Sequence, residues 1–194
     1  MSTTQPIRDP EKLLEFKEYY GTLHPNTRNY ALCILCLNTA LRITDVLHLK
    51  WGDIYDFSKE TFHSHIMVTE KKTGKRNMIA LNRTVKESFG FYMASLSSAP
   101  SFQTYLFPSR KGQNQPLSRY QAFRIIKEAA RDVGLNEHIS CHSLRKTFGY
   151  YAWQQGIPPA LLMNIYNHSS YQITKRYLGI EQDDKDSVFM NIAL

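Results

Sequence analysis

The sequence predicts a single domain of the α+β class, mainly α-helical, with a small antiparallel sheet or hairpin on one edge. Three observations carry that expectation. Apolar residues recur three and four positions apart over much of the 194 residues, the repeat of helices with one buried face. Between Asp53 and Leu81 the pattern turns to β around the polar stretch KKTGK, as in two paired strands. The loop-rich segment SSAPSFQTYLFPSRKGQNQP reads as a surface excursion and not as a domain boundary.

After the polar leader MSTTQPIRDPEK, Asp9 and Pro10 form a cap and first-turn pair for a helix through EKLLEFKEYY, which Gly21 should end. Pro25 and Asn26 open a longer helix with the stripe Tyr30, Ile34, Leu37 and Leu41. In TALRITDVLHLKWGDI, Thr44 and Asp45 can cap the next one. FHSHIMVTE and RNMIAL flank KKTGK as a hairpin, with a third strand expected near Ile54 to Phe57. NRTVKESFGFYMASL is an amphipathic helix. Ser118 and Gln121 form a capping box for a helix with Ala122, Ile126, Ala129 and Val133 inside and Gly134 at its end. The helix that begins at Cys141 stops at Gly156 to Pro159, and ALLMNIY starts another. In the tail DSVFMNIAL, Val188, Phe189 and Ile192 can share one apolar face.

Composition narrows the function classes. Lys and Arg number 24 against 17 Asp and Glu, a net charge of +7 and a pI near 9.3, which favours a polyanionic partner, nucleic acid first. Cys33, Cys36 and Cys141 are an odd set without a secretory leader, as in a reducing cytoplasm. Cys33 and Cys36 form a CxxC inside YALCILCLNTAL, with no second pair of ligands nearby, so they read as helix core and not as a metal site. No apolar run approaches the roughly 20 residues that span a bilayer. A soluble, intracellular protein with no membrane partner is expected.

The polar residues that need a reason are few. His142 and Arg145 stand three apart at the start of a helix, so both can converge on one ligand. Arg42 interrupts an apolar neighbourhood, where an ion pair with Asp45 would be reason enough. Lys71, Lys72 and Lys75 crowd the hairpin tip, either for solubility or to reach a phosphate. Arg124, Lys127 and Arg131 line the polar side of the Ser118 helix and could follow a nucleic-acid backbone or face water. His168 lies in a polar turn and Tyr177 nine positions later. Each has an ordinary structural reading alone; together, cations, histidines and a tyrosine suggest chemistry on an anion.

Their order and spacing resemble those of the tyrosine recombinases, the phage-integrase family of DNA strand-exchange enzymes. That family's pattern is an arginine in a TGLR-like context, a hairpin lysine, HxLR, a histidine in LGH and a tyrosine nine further on. Arg42, Lys72, His142, Arg145, His168 and Tyr177 match it in turn, and Thr174 also fits. Ala40 and Asn167 replace the family's glycines before Arg42 and His168, which removes no functional group. Asp45 stands where the family has an acidic residue, expected to orient Arg42. Lys72 fits the register best, with Lys71 and Lys75 as close competitors. Few residues precede Arg42, so the resemblance implies one catalytic domain over 1–194 without the family's N-terminal clamp domain.

The resemblance further implies a mechanism. Arg42 and Arg145 neutralise a phosphodiester, His142 serves as base or proton relay, His168 donates to the phosphate and Lys72 protonates the leaving 5′ oxygen. Tyr177 attacks, giving a covalent 3′-phosphotyrosine without metal or nucleotide cofactor; Tyr171 is the rival nucleophile, with Tyr166 and Tyr150 behind it. The expected partners are double-stranded DNA and further copies of the chain in a tetrameric synapse at the nucleoid. Residues 181–194 would serve as a tail that docks on a neighbouring protomer or packs on its own domain. Integration, excision or inversion are the expected outcomes, with small promoter-inverting recombinases the nearest in size. A non-catalytic DNA-binding descendant and a type IB topoisomerase-like activity are the alternatives.

Overall fold

The computed structural model describes residues 4–72, 74–135 and 138–192, without the side chains of Asp184 and Ser187. Helix α1 (Pro10–Glu18) begins where the Asp9 carboxylate accepts from the Glu11 and Lys12 amides, as its sequence predicts. Gly21 does not end it. A π-helical turn, Tyr19–Leu23, carries the chain through that glycine and buries Tyr19 and Tyr20. Their hydroxyls donate to Asp132 (2.6 Å) and Glu128 (2.9 Å), so tertiary anchoring overrides the glycine stop.

Helix α2 (Thr27–Thr39) is capped by Asn26 and runs through the centre of the molecule against α5 (Arg83–Ala94) and α7 (Cys141–Gln154). Its residues from Ala31 to Leu37 are all buried, which is why Cys33 and Cys36 sit in the core; burial pushes the Cys33 thiol up to about 12. Helix α3 (Ile43–Val46) starts with Arg42 at its N-cap position. Thr44 and Asp45 lie inside this short helix and do not cap it, because α2 ends two residues before Arg42 in a left-handed turn at Ala40. Helix α4 (Trp51–Ile54) follows.

Strands β3 (His65–Thr69) and β4 (Arg76–Ala80) form the expected antiparallel hairpin, His65 opposite Ala80 and Thr69 opposite Arg76. The expected third strand is different: β1 (Tyr55–Asp56) pairs with β2 (Thr61–Phe62) as a separate two-stranded ribbon. The run FHSHIMVTE is broken at His63 and Ser64, so its first residues pair backwards with β1.

Helices α5 (Arg83–Ala94) and α6 (Arg119–Asp132) complete the main core, α6 with the predicted Ser118–Gln121 capping box. Helix α7 (Cys141–Gln154) then leads to α8 (Pro159–Tyr166), α9 (Tyr171–Leu178) and α10 (Glu181–Asn191). Beside the main core, Ala40, Tyr150, Tyr166, Leu178 and Ile180 form a smaller cluster under α8 and α9. No helix among the described residues is long and apolar enough to cross a membrane.

The leader is polar in composition but not detached. Thr4 and Ile7 are buried along α7, where the Ile7 amide donates to Thr147 Oγ1 (2.9 Å) and Lys146 Nζ donates to the Thr4 carbonyl (2.6 Å). Arg8 reaches on to the Gly179 carbonyl (2.5 Å) and pairs with Asp183 (3.1 Å), pinning the start of α10. The other end of α10 leaves Val188, Phe189, Met190 and Ile192 exposed.

Candidate active site

The site is built around the turn that ends α2. Ala40 takes φ 52°, a left-handed conformation that favours glycine, and throws Arg42 into extended backbone. The Arg42 guanidinium ion-pairs with Glu70, which is only 2% exposed and also accepts from Asn77 Nδ2 at 2.9 Å. Asp45 is therefore not the partner of Arg42. Its buried carboxylate accepts from the Lys71 amide (3.1 Å) through Oδ1, while Oδ2 has no partner among the described residues, so Asp45 fixes the exit of β3.

Arg145 is buried on the first turns of α7 and donates to the carbonyl of Ala40, tying both arginines to one turn. Its guanidinium lies 4.8 Å from the centroid of Tyr166, and the Tyr166 hydroxyl donates back to the Arg145 carbonyl (2.7 Å). Close packing of this seam requires Gly149. A Cβ there would stand 2.6 Å from Leu178 Cδ2 and 2.8 Å from Tyr166 Cζ, closer than real Cβ atoms come.

His142, one turn before Arg145, is exposed at the mouth of the site. Partial burial of the ring, then Arg145, Arg119, Lys146 and Arg42, push its imidazole below the ordinary 6.5, so it is neutral at pH 7 and can accept a proton. His168 follows Asn167, the left-handed end of α8 at φ 56°. Its ring stacks on Tyr166 at 5.5 Å, and Nδ1 contacts Thr174 Oγ1 at 3.1 Å, which leaves Nε2 for a ligand. Burial first, then Arg145 and Arg42, lower its pKa too.

Tyr177 lies half-buried against this wall, 5.3 Å from the ring of Tyr166 and 5.2 Å from that of His168. Lys146 Nζ stands 5.2 Å from its ring centroid. Burial raises the phenol above its ordinary 10, while the charge and hydrogen bond of Arg145 and the charge of Arg42 pull it back. The phenol is thus protonated when the site is empty of anion, next to the cations that would stabilise its phenolate.

The rival tyrosines are placed otherwise. Tyr166 is fully buried, Tyr150 is buried and its hydroxyl accepts from Gln154 (2.9 Å), and Tyr171 opens α9 under Lys175. Among the hairpin lysines, Lys71 and Lys72 are exposed at the tip. Lys75 instead reaches Asn167 Oδ1 (2.5 Å), the neighbour of His168. The turn folds back there, with the Glu70 amide on the Lys75 carbonyl (2.9 Å) and Gly74 at φ 67°, and Lys75 lies beside the Asn167–His168 turn. Arg124, Lys127 and Arg131 are exposed on α6; Lys127 lies over Phe123, and Arg131 pairs with Asp132 (2.7 Å).

Sequence reasoning passed over Glu70, Lys146 and Arg119. Glu70 carried a signal: Ile66, Val68 and Glu70 share the inward phase of the strand, and a carboxylate at an inward position needs a cation. Lys146 had none, because its burial arises from a leader that reads as polar. Among the described residues no group of His, Cys, Asp and Glu could hold a metal ion.

The assembled groups can bind an oxyanion between two arginines and present it to a hydroxyl. The Phage integrase family profile matches residues 8–183. The probable integrase/recombinase YoeC of Bacillus subtilis (strain 168) is 41% identical over 183 residues, covering 94% of this chain and 93% of the relative. The type 1 fimbriae regulatory protein FimB of Escherichia coli (strain K12) is 29% identical, covering 77% and 72%. The tyrosine recombinase XerD of Listeria monocytogenes serotype 4b (strain F2365) is 24% identical, and 90% of this chain spans 57% of that protein. In fold, the XerA recombinase superposes with a TM-score of 0.74 at 19% identity, covering 99% of this chain and 68% of that one. A lambda integrase fragment bound to a core site gives 0.65 at 18% identity, covering 92% and 60%. Profile and relatives show that the chain belongs to the phage integrase family, the tyrosine recombinases that transfer DNA strands.

Proposed function

We propose that this chain performs site-specific recombination with Tyr177 as nucleophile and Arg42, Arg145, His142 and His168 as its phosphate-activating set. One observation carries the assignment: both arginines hang on the Ala40 turn or its neighbour and act on the Tyr177 phenol, Arg145 by charge and a hydrogen bond and Arg42 by charge, with the His168 ring 5.2 Å from that of Tyr177. A scissile phosphodiester held there has its non-bridging oxygens neutralised by two forked donors. Tyr177 Oη forms a bond to phosphorus as its proton passes to His142, and the bond to the 5′ oxygen breaks. A hairpin lysine gives that oxygen its proton: Lys72 by the register of the resemblance, Lys75 by its position beside Asn167. The 3′-phosphotyrosine keeps the bond energy, so a 5′ hydroxyl from another strand reverses the step and completes exchange.

The partner is double-stranded DNA at the nucleoid, the outcome integration, excision or inversion. Structures of XerH and of the Tn1549 transposon integrase bound to DNA belong to proteins of similar fold. The single catalytic domain assembles with three further copies on DNA. The exposed Val188, Phe189 and Ile192 on α10 supply the docking tail, since Arg8 and Asp183 hold only the root of that helix. The test is trapping on a nicked duplex in chelator, resolved on a denaturing gel. A DNA-linked band lost in Tyr177→Phe, with binding retained, supports the proposal. A band that persists in Tyr177→Phe removes Tyr177 from the role.

A further inference from the structure

On the far side of α6 from the catalytic cleft, Arg28, Arg110 and Arg124 line one open pocket together with Gln121 and Glu128. Its position follows from helix geometry. Arg119 lies close enough to His142 to depress its basicity, so that flank of α6 faces the cleft. At ~100° per residue, Arg124, Glu128 and Gln121 lie roughly 140° to 200° round from Arg119. Tyr120, Lys127 and Arg131 fall between, on the exposed face.

Among the described residues none of the three arginines makes an ion pair, and the side chains of Arg110 and Arg124 make no hydrogen bond. Arg28 is partly buried and braced, donating to the Pro108 carbonyl (3.2 Å) and to Asn29 Oδ1 (3.1 and 3.3 Å). A guanidinium has five N–H donors, so two remain. Burial and the charge of Arg110 both work against its protonated form, the strain that a bound anion would relieve. Glu128 is the one carboxylate among the lining residues; its Oε2 accepts from the Tyr20 hydroxyl (2.9 Å), and the three guanidinium charges outnumber it.

We propose that the Arg28–Arg110–Arg124 pocket is a second phosphate site, which grips the DNA backbone on the side of α6 opposite the scissile phosphate. This rests on the recombinase reading above. A groove of double-stranded DNA has a sugar-phosphate backbone on each side, so a helix lying in it meets phosphates on both flanks. The catalytic arginines take one, and this pocket takes the other. It fixes the register of α6 on DNA without reading a base.

The salt dependence of binding tests this. Duplex affinity is followed by fluorescence anisotropy against salt for the wild type, Arg110→Gln, Arg124→Gln and the double variant. One phosphate contact contributes roughly 0.9 to the slope of log K against log salt. Each single variant should lose about that much, and the double variant no more than a single, because both arginines serve one phosphate. Unchanged slopes, or losses that add, overturn the site. Calorimetric titration with inorganic phosphate separates the sources. Phosphate binding lost in Arg110→Gln with an unchanged DNA slope would mean a site for a soluble anion and overturn the DNA assignment. A wild type that binds and traps DNA while the variants keep its slope sinks the pocket alone; a wild type that neither binds nor traps DNA sinks the recombinase reading with it.

Discussion

The two arginines and Tyr177, the proposed nucleophile, rest on different foundations. Arg42 is fastened to the main core through Glu70, just past β3, and Arg145 donates to the Ala40 carbonyl at the end of the central helix α2, where the smaller cluster meets it. Tyr177 rides on the small cluster of Tyr150, Tyr166, Leu178 and Ile180, which meets the main body along α7 and the leader. A unit with so little apolar area opens more easily than the core. The contrast sets a firmly held anion cradle against a proposed nucleophile on the less stable part of the fold.

The largest effect expected is on the lysine that serves the cradle from outside either cluster. Removal of a general acid costs roughly a hundred- to ten-thousand-fold in rate. Single-turnover cleavage of a duplex with sulfur in place of the 5′ bridging oxygen identifies it, because a thiolate leaves without a proton. Between Lys72→Ala and Lys75→Ala, the variant rescued by sulfur lacks the acid; rescue of Lys75→Ala would extend the geometry seen here to the DNA complex, and rescue of Lys72→Ala would require the tip to move.

Attacks on the two foundations should differ in kind. Glu70→Gln leaves Arg42 without its counter-charge in a largely buried position, a loss of about 3 kcal/mol or more. Urea denaturation should show it as a lower midpoint for the whole domain. Gly149→Ala forces α8 and α9 off α7 at a cost of about 1–3 kcal/mol. Here hydrogen exchange should quicken over residues 159–180 while α2 and α6 stay protected; uniform loss would mean that the two clusters unfold as one.

Acid should weaken both regions together. His142 and His168 have folded-state pKa values below the ordinary 6.5, so below that value the unfolded chain binds more protons than the fold. Their contribution is intact above pH 6.5 and is lost as pH falls through the lowered values. Cleavage should decline in the same direction, as protonated His142 cannot accept from Tyr177. Melting temperature and single-turnover rate against pH check this, with His168→Gln expected to flatten the stability curve.

The smallest effect expected is a gain. Ala40→Gly removes left-handed strain and should stabilise by about 0.5–1 kcal/mol, whereas Asn167→Gly should gain less, since asparagine tolerates that conformation and holds Lys75. Thermal melts of the two variants rank them directly.

Much of this was legible in the sequence because it is local. Caps at Asp9, Asn26 and Ser118 fixed helix starts, and the order Arg42, His142, Arg145, His168, Tyr177 survives in space as one site. The departures Ala40 and Asn167 are explained only by the backbone: both stand at positive φ, where the family's glycine costs nothing. What composition concealed was long-range. The partner of Arg42 lies 28 residues away, and the buried leader owes its order to contacts more than 140 residues distant. Asp45 is only three residues from Arg42 in sequence and still not its partner, because the α3 turn points it at the Lys71 amide.

The central claim is that Tyr177 attacks the phosphate held by Arg42 and Arg145. Its most direct test is to isolate the covalent adduct formed on a nicked duplex, digest the DNA and protein, and locate the modified residue by peptide mass spectrometry. A nucleotide remnant on the phenol of Tyr177 is the result predicted. A remnant on Tyr171 or another residue would contradict the account.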